Sequence, residues 1–178
     1  MLTTPILNDI KTFDANEGYI FTFNIIGGNQ VIGNNLVIER ISDNVEVYNQ
    51  IQESFNFRHN LPSNILVNGI NYRAKIRTKD INNNWSNFST NLLFWCYSKP
   101  ELQIITIDYN NQNRVYNQTV LFETTYSQAE GESLQSYRYL LYDTNKNLLK
   151  SFSEIYSDGS ETLKQEIAGL ENSILYHL

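Results

Sequence analysis

The segment Leu66-Val67-Asn68-Gly69-Ile70-Asn71-Tyr72-Arg73-Ala74-Lys75-Ile76-Arg77-Thr78 carries the clearest fold signal in the chain. From Tyr72 onward every second residue (Tyr72, Ala74, Ile76, Thr78) suits a core, and the residues between them are cations. This is the period-2 signature of a strand with one buried face. The same alternation recurs in Tyr19-Ile20-Phe21-Thr22-Phe23-Asn24-Ile25, Leu36-Val37-Ile38-Glu39-Arg40-Ile41 and Leu102-Gln103-Ile104-Ile105-Thr106-Ile107. It returns in Thr119-Val120-Leu121-Phe122-Glu123-Thr124 and Tyr137-Arg138-Tyr139-Leu140-Leu141-Tyr142. Turn formers separate these runs: Gly27-Gly28-Asn29, Ser42-Asp43-Asn44, Asn82-Asn83-Asn84, Asn110-Asn111, Asp143-Thr144-Asn145 and Ser157-Asp158-Gly159. Short strands punctuated this often predict an all-β sandwich.

Composition agrees. The chain has 178 residues, 41% hydrophobic, enough for one domain core or two small ones. It is rich in Tyr (12) and Phe (9) but only 18% charged, which suits half-buried pleated surfaces better than solvated helices. Its 25 Asn supply polarity without charge and residues for turns. A formal charge of −6 argues against nucleic acid as a partner, because displacing counterions from phosphates needs clustered cations. One cysteine, Cys96, gives no intrachain disulfide framework, and with only His59 and His177 beside it a zinc site is not expected. No apolar run reaches the roughly 18 residues of a spanning helix, so no membrane insertion is expected. Met1-Leu2-Thr3-Thr4-Pro5 lacks the charged and apolar regions of a signal peptide, which predicts a protein made and kept in a cytoplasm or released by another route.

An internal repeat runs through the chain. Leu66 precedes Tyr72 by six residues and Leu170 precedes Tyr176 by six, an offset of 104. Leu36-Val37-Ile38-Glu39-Arg40 aligns with Tyr137-Arg138-Tyr139-Leu140-Leu141 at an offset of 101, the difference being what a loop insertion produces. Tyr97-Ser98-Lys99-Pro100-Glu101 falls where the first unit ends, which predicts domains at residues 1–98 and 99–178. The second unit has only Tyr176-His177-Leu178 where the first continues for about 25 residues. It is therefore expected to lack its last strands, which a longer chain or a neighbouring subunit would provide.

These residues carry a resemblance to the fibronectin type III family. Leu66 with Tyr72, and Leu170 with Tyr176, match the family's tyrosine corner, in which the tyrosine hydroxyl bonds back to the backbone. Trp85-Ser86-Asn87-Phe88-Ser89 stands where the family has a Gly-x-x-Ser-x-x-Ser segment, and Leu92-Leu93-Phe94-Trp95-Cys96 matches its last strand, G. The strand B tryptophan of the family is replaced by Phe21 or Phe23 in the first unit and by Phe122 in the second. The resemblance implies two tandem fibronectin type III-like (immunoglobulin-like) sandwiches, the second incomplete at its C-terminus.

Catalytic chemistry finds little support. His59 and His177 are the only candidate imidazole bases, and each reads as an ordinary polar residue; Cys96, after Trp95 on an apolar strand, reads as a buried structural thiol. Gly27-Gly28-Asn29-Gln30-Val31-Ile32-Gly33 lacks the Lys-Ser/Thr of a phosphate loop. Asp80-Ile81-Asn82-Asn83-Asn84 and Asp143-Thr144-Asn145-Lys146-Asn147 carry oxygen ligands at calcium-loop positions 1, 3 and 5, and Glu154 falls at position 12 of the second. Position 6, which needs glycine, is Trp85 in one and Leu148 in the other. In a sandwich these are an F–G loop and a C–C′ hairpin. No metal, no cofactor and no enzyme activity are expected.

The polar feature that stands out is the row Arg73, Lys75, Arg77 and Lys79, four of 13 cations on the outward face of one strand. It reads either as a docking surface for an acidic neighbour or an anionic surface polymer, or as long side chains covering a solvated sheet. Trp85 and Phe88 lie beside it, placed to stack on a sugar ring or to cap the end of the sandwich. Residues 68–86 also resemble fibronectin-like repeats in tail proteins of phages infecting low-GC bacteria. That resemblance implies a non-enzymatic spacer or adhesive module of a phage tail, baseplate or fibre, homo-oligomeric, assembled in the host cytoplasm. Its partners would be other virion proteins, copies of itself or a host surface glycan. The alternative is an extracellular accessory module of a secreted bacterial glycoside hydrolase or adhesin, binding carbohydrate or a surface.

Overall fold

The computed structural model describes residues 2–106, 115–171 and 173–178. The expected turn at Asn110-Asn111, the last residue of the strand expected to end at Ile107, and Asn172 of the repeat lie outside the described residues. The described residues are all-β, with every pair of strands antiparallel and one isolated parallel bridge, Phe13 with Cys96, in two compact units, Met1–Lys99 and Pro100–Leu178.

In the first unit β1 (Ile6–Leu7), β2 (Tyr19–Asn24) and β5 (Arg58–Leu61) form one sheet in the order β1-β2-β5. The other sheet has the order β4-β3-β6-β7, from β3 (Val31–Arg40), β4 (Glu46–Glu53), β6 (Asn71–Asp80) and β7 (Leu92–Trp95). Sheets A-B-E and C′-C-F-G are the arrangement of an immunoglobulin-like sandwich. Phe21, Phe23 and Leu61 of the first sheet share a core with Leu36, Ile38, Ala74, Ile76 and Phe94 of the second. Each of the Phe, Leu and Ile side chains contributes about 1.5–3 kcal/mol on full burial. β3 is longer than the expected Leu36–Ile41 and buried on both faces, because it is central in its sheet and long side chains of β6 lie over its outer side.

The second unit repeats the plan with fewer buried residues. β8 (Glu101–Ile104), β9 (Thr119–Ser127) and β14 (Thr162–Ala168) form a sheet in the order β14-β9-β8. The run expected as one strand over residues 137–142 is two: β10 (Ser136–Tyr137) pairs with β13 (Ile155–Tyr156), and β11 (Leu140–Tyr142) pairs with β12 (Leu148–Ser151). Tyr139, in the gap between them, directs its ring into the core, its hydroxyl 2.8 Å from Thr124 Oγ1 and 3.2 Å from the Leu163 carbonyl. Val120, Phe122, Leu141, Ile167 and Leu170 are its buried centre.

The repeat is thus physical, with one correction to its register. Glu39 pairs with Arg73 in the first unit and Tyr142 with His177 in the second, so strand C of the second unit is offset by 103 residues and not 101. A two-residue slip preserves which side chains face the core, so the pattern by itself does not resolve it. Both tyrosine corners are present. The Val67 N–H donates to the Tyr72 hydroxyl at 3.0 Å, and the Glu171 N–H donates to the Tyr176 hydroxyl at 3.1 Å. Residues 176–178 hold the first positions of the strand that corresponds to β6.

Candidate interaction face

β6 brings the expected basic row together. Arg73, Lys75, Arg77 and Lys79 are all half-buried and alternate with the buried Tyr72, Ala74, Ile76 and Thr78. The row is not four free cations. Glu39, next door on β3, accepts from Arg73 Nε at 2.7 Å and from Lys75 Nζ at 2.9 Å, and these two bonds hold its carboxyl below the usual carboxylate range, Lys75 contributing most. Arg73 also reaches Asn44 Oδ1 at 3.0 Å, and Arg77 Nε donates to Asn35 Oδ1 at 3.0 Å. Lys79 ends the row beside the F–G turn.

The two aromatics neither stand free in the F–G loop nor cap the end of the sandwich. Arg77 lies 4.7 Å from the ring centres of both Trp85 and Phe88, and Lys75 lies 5.4 Å from that of Phe88. Each such contact is worth about 0.5–1 kcal/mol at a partly exposed site. The segment after the F–G turn explains their placement. Ser86 N–H donates to the Thr78 carbonyl at 2.9 Å while Ser86 Oγ accepts from Thr78 N–H at 3.0 Å. Ser89 repeats this on Ile76, at 2.8 and 3.1 Å. Serine hydroxyls therefore stand in for main-chain carbonyls, and the segment advances three residues for every two of β6. The residue before each serine, Trp85 or Phe88, is thrown onto the outer face above the guanidinium. The Ser-x-x-Ser spacing was the signal in the sequence; that it aims the aromatics at Arg77 was not readable there.

The calcium-like motifs resolve into one recurring turn. Asp80 Oδ1 accepts from the N–H groups of Asn82 and Asn84 at 2.9 and 2.8 Å, and Asp143 Oδ1 accepts from those of Asn145 and Asn147 at 2.8 Å each. In each loop the aspartate N–H returns to the carbonyl of the fifth residue at 3.0 Å, and the fourth residue, Asn83 or Lys146, has a positive φ near 60°. The carboxylates thus serve their own loops, joining β6 to the segment before β7 and β11 to β12. Side-chain amides, Asn29 first for Asp80 and Asn147 first for Asp143, lower both pKa values.

His59 is wholly buried on β5 and ties the two sheets together. Asn34 Nδ2 donates to the Arg58 carbonyl, which leaves Asn34 Oδ1 as acceptor for His59 Nδ1–H at 2.5 Å; His59 Nε2 then accepts from the Tyr48 hydroxyl at 3.0 Å. Burial pushes the imidazole down to about 4, so it is a neutral structural linker. His177 carries a main-chain pairing with Tyr142. Burial raises the Cys96 thiol to about 12, far from the range of a reactive thiolate.

No family model matches the chain, and no curated protein does. Among solved structures, 97% of the chain is similar to a protein described as "Biofilm associated protein - BSP domain", at 14% identity and a TM-score of 0.36. The chain spans about a quarter (26%) of that protein's length.

Proposed function

We propose that the chain is a non-enzymatic structural and adhesive element of a bacteriophage tail, baseplate or fibre, whose sandwich units present sheet faces to neighbouring proteins. The observation that carries this reading is the assembled ladder on β6. Glu39, Arg73 and Lys75, then Asn35, Arg77, Trp85 and Phe88, already hold one another in place. A partner docking on that face immobilises few further side chains, each of which would otherwise cost about 0.5–1.5 kcal/mol. Such a face serves rigid, repeated contact better than turnover of a substrate.

A second reading, a surface-binding module of a secreted bacterial protein, draws on Trp85 and Phe88, which remain half-exposed and offer apolar area to a sugar ring. Antibody raised against the chain, applied to purified phage particles from the source culture, tests the first. Stoichiometric recovery in the tail fraction is expected. Absence from particles, with labelled protein co-sedimenting with cell walls and losing that binding on Trp85→Ala, gives the second.

A further inference from the structure

The four sheet edges of the first unit are treated unequally. β1 is two residues long. β5 has four residues, and its free edge is plugged by the Gln52 side chain, whose Oε1 accepts from Asn60 N–H at 2.9 Å and whose Nε2 donates to the Asn60 carbonyl at 2.6 Å; Pro62 follows. β7 has only four residues, and just beyond it Cys96 pairs with Phe13 and Tyr97 N–H donates to the Phe13 carbonyl at 3.1 Å. β4 alone is long and open. It has eight residues, with glutamates only at its ends, no proline or glycine, and Ile51 56% exposed. Natural edges are normally shortened, covered, charged or kinked against unwanted pairing. Three of these are blunted and this one is not.

The direction of its free groups follows from β3. The Ile32 carbonyl accepts from Ser54 N–H, and Arg40 N–H donates to the Val45 carbonyl, so even-numbered residues of β3 turn towards β4. In the register Asn34↔Gln52, Leu36↔Gln50 and Ile38↔Tyr48, the even residues of β4 answer them. Main-chain groups of Val47, Asn49 and Ile51 therefore point outward, and no described residue bonds them. An open trough of about 680 Å³ runs along Glu46 to Gln52, with Pro62 and Ile65 on its far side, and leaves room for another strand.

We propose that β4 pairs antiparallel with β4 of a second copy, about a twofold axis through Asn49, to give one continuous eight-stranded sheet. The register is self-complementary. Val47 of each copy falls opposite Ile51 of the other, Asn49 falls opposite itself, and these outward-facing pairs exchange about six main-chain hydrogen bonds. Glu46 lies opposite Gln52 and Glu53 opposite Val45, so no two like charges are opposed, and the amide-rich Asn49-Gln50-Ile51-Gln52 suits identical segments laid side by side. The pairing rests on strand geometry alone and does not depend on the virion reading.

Sedimentation equilibrium of the full chain is expected to show a concentration-dependent dimer. Ile51→Lys, at an exposed site, should leave thermal unfolding unchanged and weaken association at least about tenfold. In a second variant, Asn49→Cys should form a disulfide-linked dimer under mild oxidant, since Cα atoms of hydrogen-bonded antiparallel pairs lie within disulfide reach at about 5.5 Å. Gln50→Cys, opposite Tyr48 in this register, should not. A wild-type chain that stays monomeric, association indifferent to Ile51→Lys, or linking through Gln50→Cys instead of Asn49→Cys overturns the proposal. So does a monomer whose β4 amides become protected only by a different protein's strand.

Discussion

Both units close their E–F turn with a tyrosine hydroxyl on the N–H five residues upstream, yet behind that shared corner the two interiors are built to different depths. In the first, Tyr72 is buried against Phe94, which meets Phe13 and Phe21, and central β3 is hydrogen-bonded to strands on both sides. In the second, Tyr176 is half-exposed, five residues form the buried centre, and β11 has β12 on one side and a single bridge, Tyr142 with His177, on the other. A local motif therefore fixes a corner without fixing the stability of what surrounds it. Stability follows apolar area and the number of paired strands.

Phe21 is where the two units should respond most differently. Phe21→Ala empties part of an aromatic cluster and is expected to cost about 3–5 kcal/mol in the first unit alone. Both tryptophans, Trp85 and Trp95, belong to that unit, so their fluorescence reports it while far-UV circular dichroism reports both. In denaturant the dichroism of the wild type should begin to fall before the fluorescence moves, and Phe21→Ala should bring the two together. Coincident wild-type transitions would show one cooperative body instead.

Acid is the next lever. His59 must be neutral when folded, at about 4, and titrates near 6.5 when unfolded, so the unfolded chain binds more protons between those values. Its contribution is complete above about pH 6.5 and declines as pH falls towards 4, by about 3 kcal/mol in all. Fluorescence-detected unfolding at a series of pH values measures this, and His59→Gln should flatten the slope. Ser86→Ala should cost about 1–3 kcal/mol, because Thr78 N–H then loses its acceptor, and should quench less tryptophan emission if Trp85 leaves Arg77. The smallest effect belongs to Tyr176→Phe, under about 1 kcal/mol, against a larger loss for Tyr72→Phe, whose hydroxyl serves a buried corner. Equal losses at the two tyrosines would erase the distinction between the units.

How far the sequence could be read follows the same physics. β6 buries one face completely and β2 and β9 most of one face, and their alternation was visible. β4 buries only Tyr48, and its sequence Glu46-Val47-Tyr48-Asn49-Gln50-Ile51-Gln52-Glu53 does not alternate, so the strand was not legible. β10 and β11 looked continuous because Tyr139, which interrupts them, is itself a core residue. Of the candidate face, the row on β6 was legible since parity alone places it. The pairing of two of its four cations with Glu39 was not, because Glu39 meets Arg73 and Lys75 by register across strands. The linking role of His59 was hidden for the same reason, since Asn34 and Tyr48 belong to other strands.

The five-residue turn Asp-x-Asn-x-Asn also bears on how such chains diversify. It closes F to G in one unit and C to C′ in the other with the same Oδ1 and main-chain bonds, and outside itself the first draws only on the Asn29 amide at Asp80 and on the Gln30 carbonyl, which accepts from Ile81 N–H, among the described residues. A joint so self-sufficient is an interchangeable fitting. It can be spliced between any two antiparallel strands without redesigning their neighbours, and a lineage rich in asparagine carries a ready stock of them.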